Sequence, residues 1–108
     1  MANTFKSNVA ANVVTTGNTI YTCPTATQTT LIGMTLSNKS AGTVTANVFL
    51  TRSGVDYSLI SNAPILTGST LVPIGGDQKV VLQAADVLKV TTSANGSLDV
   101  IASLLEIA

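Results

Sequence analysis

The chain has 108 residues, five basic and five acidic side chains, no His and one Cys, enough for one domain with a single core. Only 9% of residues are charged, against about 25% in an average globular domain, yet a mean hydropathy of +0.47 excludes the composition of a disordered segment. Seventeen Thr, twelve Val and seven Ile stand against one Glu and one Arg, which excludes a chain of solvent-faced helices and favours pleated, half-buried strands.

Strand signals recur at short spacing between turn-forming residues, the pattern of a sandwich or barrel. Phe5 to Val14 sets Phe5, Ser7, Val9, Ala11 and Val13 on one face, and residues 1–15 are expected as an N-terminal arm or an edge strand. Gly17-Asn18 turns into Thr19 to Cys23, which Pro24 ends because it has no N–H to donate to a ladder. Thr29 to Ser37 places Ile32, Met34 and Leu36 on one side. The loop Asn38-Lys39-Ser40-Ala41-Gly42 leads to Thr43 to Thr51, with Val44, Ala46, Val48 and Leu50 aligned, so these two segments read as a hairpin.

Ser53-Gly54 turns into a shorter strand, Val55 to Ile60, which Asn62-Ala63-Pro64 is expected to break. Ser69 to Ile74 and Lys79 to Leu82 are strand-like on either side of Gly75-Gly76-Asp77, and Ala84-Ala85-Asp86 precedes Val87 to Thr92. Ala94-Asn95-Gly96 is a strong turn into Leu98 to Ile107. A helix over 98–108 competes there, but no capping pattern accompanies it and the Asn-Gly turn favours strand. In that last strand Leu98, Val100, Ala102 and Leu104 share one face while Ile101, Leu105 and Ile107 share the other. An antiparallel sheet usually solvates its outer side. The second apolar face is therefore either covered by a loop or the N-terminal segment, or is a subunit interface. Phe49, on the polar face of its strand, adds to the interface reading.

No constellation in the sequence supports catalysis. Without His the chain lacks the common general base and a common metal ligand. Cys23 has no His to activate it and reads as a buried or incidental thiol. Asp56, Asp77, Asp86, Asp99 and Glu106 stand singly. Zinc lacks its ligands, and no segment has the dense oxygen spacing of a calcium loop, although loop carbonyls with Asp77 or Asp86 are one arrangement to test. Gly75-Gly76-Asp77 lacks the helix and Lys-Ser/Thr pair of a phosphate loop and reads as a hairpin turn. Asp86 reads as a turn cap. The aromatics are Phe5, Tyr21, Phe49 and Tyr57, too few for the stacked platforms of a sugar-binding sandwich, and Tyr57, beside Val55 and Leu59, reads as core. No cofactor and no metal are expected.

Lys6, Lys39, Arg52, Lys79 and Lys89 never cluster, which argues against nucleic acid as a partner. No segment approaches the roughly 18 apolar residues that cross a membrane. The first residues lack the apolar stretch of a signal peptide, and a lone Cys fits synthesis in a reducing compartment. A weakly charged Thr, Ser and Asn coat keeps a protein monomeric poorly, which points towards assembly.

The run Gly75-Gly76-Asp77-Gln78-Lys79-Val80-Val81-Leu82, continuing through Ala84-Ala85-Asp86-Val87-Leu88-Lys89-Val90, resembles short virion structural proteins of tailed bacteriophages, notably marine and cyanobacterial ones. The ending Asp99 to Ile107 and the segment Thr29-Thr30-Leu31-Ile32-Gly33 share that resemblance, which spans the chain from about residue 26 onward. It implies a particle component present in many copies, and it brings no catalytic residues.

The expected fold is all-β: one antiparallel β-sandwich over residues 1–108, jelly-roll or immunoglobulin-like. The expected role is that of a non-enzymatic phage virion protein, made in the host cytoplasm and packed on the particle as a homo-oligomer against other virion proteins. Capsid decoration is favoured over a neck, tail, baseplate or fibre part, or a receptor- or glycan-binding module. Candidate interface residues are Phe5, Val9, Phe49, Ile101, Leu105 and Ile107.

Overall fold

The computed structural model describes residues 3–74 and 79–108. Nine strands make two antiparallel sheets, and there is no helix among the described residues. They are β1 (Asn3–Ala10), β2 (Asn18–Thr22), β3 (Gln28–Asn38), β4 (Val44–Arg52), β5 (Val55–Ile65), β6 (Thr70–Ile74), β7 (Val80–Leu82), β8 (Val87–Thr92) and β9 (Leu98–Ile107). The first sheet runs β1-β9-β3-β6, with β7 also on β3, and the second runs β2-β8-β4-β5.

The centre of this topology is the Ser53-Gly54 turn. Both residues have positive φ, 52° and 78°, as a two-residue type I′ hairpin requires, because that backbone twist matches the flanking strands. From this tip the two halves of the chain pair outward. Arg52 faces Val55, Ser37 faces Thr70, Thr29 faces Leu82, Asn18 faces Val90 and Asn3 faces Ile107. The chain is thus one long, interrupted hairpin, rolled up and sealed by the β3–β9 and β4–β8 ladders. With β6 and β7 taken as one broken strand, this is the eight-strand pairing of a jelly roll, and the immunoglobulin-like alternative is set aside.

The inner faces supply the core. Leu31, Leu36, Leu82, Leu88, Leu98, Leu104, Val48 and Val90 are fully buried, each stabilising the fold by about 1.5–3 kcal/mol through area removed from water. On β9 the alternation holds over its whole length, with Leu98, Val100, Ala102 and Leu104 inside.

Several local expectations are corrected. β3 and β4 do not form a hairpin, since β3 pairs with β9, β6 and β7 while β4 pairs with β5 and β8. The loop between them crosses from one sheet to the other. Asn38 anchors that crossing: its buried amide donates to the carbonyls of Gly42 (2.9 Å) and Ile65 (2.8 Å), and its Oδ1 accepts from Ser40 N (2.9 Å) and Oγ (2.7 Å). A register shift at Ile32 puts Leu31 in the core and leaves Ile32 only half-buried.

Likewise β5 runs through Asn62-Ala63-Pro64 to Ile65. Asn62 absorbs an irregularity at φ 50° and donates its N–H to Asn47 Oδ1 at 2.8 Å. Pro64 is tolerated because β5 is an edge strand. Tyr57, on that edge, is 55% exposed rather than core. β1 ends at Ala10, and Asn12 at φ 57° turns the chain, so Val13 is buried while Phe5 and Val9 face out. Gly75-Gly76-Asp77 lies outside the described residues. Strands β6 and β7 pair with successive stretches of β3, both antiparallel to it, and not with each other.

Candidate functional site

The outer face of the β1-β9-β3 sheet carries most of the predicted interface residues. Phe5 sits opposite Leu105, which sits opposite Thr30, which sits opposite Val81, forming one row across four strands. Two residues further along β1 and β9, and three along β3 because of its register shift, Ser7, Ser103 and Gly33 make a row of small residues. Val9, Ile101 and Thr35 form the next row, and Asn3, Ile107 and Gln28 close the far end. Directly opposed antiparallel residues point to the same side with Cβ atoms about 4.5–5.5 Å apart, so each row is a contiguous ridge.

These ridges are open to solvent. Phe5 is 76% exposed, Val9 71%, Ile101 51% and Val81 55%, a set of large apolar side chains that a monomer gains nothing by displaying together. Leu105 and Ile107 are half-buried between their strand neighbours. The N-terminal segment does not cover this face. It lies beside β9 as a further strand and enlarges the patch. Where the Val9–Ile101 row ends, a shallow notch of about 230 Å³ is bordered by Val9, Ala11, Asp99 and Ile101.

Phe49 is placed elsewhere. It lies on β4 in the other sheet, half-buried between Lys89 on β8 and Ser58 on β5. Its surroundings are polar: Asn47 donates to Thr91 (3.1 Å), and Lys89 pairs with Asp56 (3.8 Å). The two outer faces therefore differ, one ridged with apolar side chains and one hydrogen-bonded among its own polar groups.

Two buried polar clusters escaped the sequence reading. Asp86 caps its turn as expected, accepting from Gln83 N at 2.8 Å, but it also receives both Nε and Nη2 of Arg52. That bidentate pair ties the β7–β8 turn to the β4–β5 hairpin, and it holds the Asp86 carboxyl below the usual carboxylate range. With its oxygens so committed, Asp86 is not an open calcium ligand. At the far end of β9, Glu106 points inward, meets Tyr21 Oη and pairs with Lys6 at 3.2 Å. Tyr21 also bonds Thr29 at 2.8 Å. Hydrogen bonding to Tyr21 and Lys6 lowers the Glu106 pKa against its desolvation, while burial, with Glu106, pushes the Tyr21 phenol up. Cys23 is buried beside Thr29, with no partner that would activate it among the described residues.

An open depression of about 450 Å³ lies beyond this cluster against Ala26, Thr27, Gln28, Gln83 and Ile107. Its side chains are small, amide or apolar and offer no acid–base pair. Among the described residues, no three His, Cys, Asp or Glu side chains gather as a metal site.

No protein-family model and no curated protein matches the chain. Solved structures do. A chain of the Bacillus endospore appendages, described as a novel family of disulfide-linked pili, superposes on 100% of this chain and 91% of its own length, with a TM-score of 0.55 and 12% identity. A chain of the T13 IBDV viral particle superposes on 96% of this chain and 30% of its own length, with a TM-score of 0.53 and 10% identity. At these identities the likeness is one of fold: the chain shares its two-sheet β-sandwich with both.

Proposed function

We propose that this chain is a non-enzymatic structural protein that works by packing against further copies of itself and other particle proteins. The observation that carries the reading is the ridged apolar face of the β1-β9-β3 sheet, where Phe5, Val9, Ile101 and Val81 stand exposed with Leu105 half-covered among them. Burying such a face is the ordinary driving force of a permanent interface. The fold neighbours support the same direction, since one is a pilus chain and the other belongs to a viral particle. The resemblance of the C-terminal strands to tailed-phage virion proteins extends it to a phage particle, with capsid decoration as the favoured position. A protein that binds only the assembled shell would stabilise it by mass action.

Light scattering of the purified chain across a concentration series tests this. A defined multimer is expected, and Phe5→Asp with Ile101→Asp should give a folded monomer, because both side chains already face solvent within one copy. A chain that stays monomeric at every concentration refutes self-association, and an unchanged multimer in the double variant refutes this face as its seat.

A further inference from the structure

The four sheet edges of this sandwich are not equally protected. Strand β2 is five residues with a register shift, β5 is bulged and carries Pro64, and the β6/β7 edge is broken and carries Pro73. Short, bulged or proline-bearing edges resist pairing with another chain. Strand β1 has none of these features. It keeps eight consecutive residue pairs with β9, has no Pro, and pairs with no strand on its other side among the described residues. Its only charge, Lys6, is directed to the inner face and engaged by Glu106.

We infer that β1 pairs antiparallel with β1 of a second copy, about a twofold axis through Ser7. This rests on the reading of the chain as a self-assembling structural protein and names the partner surface. The register follows from side-chain chemistry. With Ser7 opposite Ser7 of the other copy, Phe5 meets Val9 and Lys6 meets Asn8. Centred on Lys6, two ammonium groups would stand opposite one another and Phe5 would meet Ser7, both unfavourable. Centred on Asn8, Phe5 would meet Ala11, beyond the end of β1.

The Ser7-centred register also extends the ridges. The Leu105–Phe5 pair of one copy continues into the Val9–Ile101 pair of the other, and the reverse pairing repeats it across the axis. The contact is isologous, so it closes as a dimer and removes the open edge from both copies. The merged sheet presents one apolar face twice as wide for further packing.

Cysteine cross-linking tests the pairing. Directly opposed residues in an antiparallel pair have Cα atoms about 4.5 or 5.5 Å apart, within the about 4.4–6.8 Å that a disulfide spans. Mild oxidation of Ser7→Cys should give a covalent dimer at least tenfold faster than Thr19→Cys, an exposed control on the β2 edge. The native chain, whose lone thiol is buried, should give none. A mixture of Phe5→Cys and Val9→Cys should cross-link better than either alone. A multimer by light scattering without a Ser7→Cys dimer overturns the edge pairing and leaves self-assembly standing. Equal rates for Ser7→Cys and Thr19→Cys mean collision only and also overturn it. A monomer at every concentration that forms no cross-link overturns both.

Discussion

Leu104 and Leu105 are adjacent in sequence and face opposite ways, so truncating each in turn separates fold from assembly. Leu104 is fully buried, with Leu31 opposite it on β3 and Lys6 opposite it on β1. Leu104→Ala removes buried methyl groups and leaves a cavity that the surrounding side chains fill only in part, at a cost of about 3 kcal/mol. For a domain of this size about 4 °C of melting temperature corresponds to 1 kcal/mol, so the variant should melt roughly 12 °C lower. Leu105 is half-buried on the outer face, and Leu105→Ala should cost about 1 kcal/mol, or roughly 4 °C. Urea unfolding at a dilution where the chain is monomeric measures both, with the slope unchanged if the transition stays two-state. Association should respond in the opposite order, falling for Leu105→Ala while Leu104→Ala still associates at temperatures where it is folded. Equal stability losses, or a loss below about 1 kcal/mol for Leu104→Ala, would refute the assignment of inner and outer faces.

Other outcomes follow from single contacts. Gly54→Ala forces an alanine to φ 78° and should lower stability by about 1 kcal/mol, whereas Ser53→Asn suits a type I′ turn and should raise it slightly; thermal melts compare the two. Asn38→Ala strands the Gly42 and Ile65 carbonyls and the Ser40 donors, and should cost about 2–3 kcal/mol in urea. The carboxyls of Asp86, Glu106 and Asp99 are all held below their ordinary values. Their contribution is therefore complete above the unfolded carboxylate range of about 4 and is lost as pH falls below it. The urea midpoint should drop between neutral pH and pH about 2.5, and more shallowly in Asp86→Asn; a midpoint that holds or rises on acidification would contradict these assignments.

Much of the architecture was legible because β-strands write their faces into the sequence at a period of two. The bounds of β9, its inner row and its apolar outer row were all readable, as was the Ser53-Gly54 tip from which the whole pairing unfolds. Five of the six interface candidates did gather on one face, because Phe5, Val9, Ile101, Leu105 and Ile107 belong to two strands that turn out to be neighbours. Phe49 shared their composition signal but not their sheet. Val81 was missed for the converse reason: nothing near it in the sequence shows that β7 completes the row begun by Phe5.

By itself the sequence determined the class of structure, all-β with Thr, Val and Ile on pleated strands, together with the turns where Gly and Asn permit positive φ. These are local properties, set by each residue's own sterics and its neighbours two positions away. Only the tertiary structure decided which strand lies beside which. That β3 and β4 cross between sheets, that Leu31 displaces Ile32 from the core and that Asp86 meets Arg52 from 34 residues away all depend on non-local packing. Alternation says which way a side chain points, but a strand offers the same hydrogen-bonding edge to any partner. The choice among partners is made by closing the core and by satisfying the few polar groups, such as Asn38, that the closure buries.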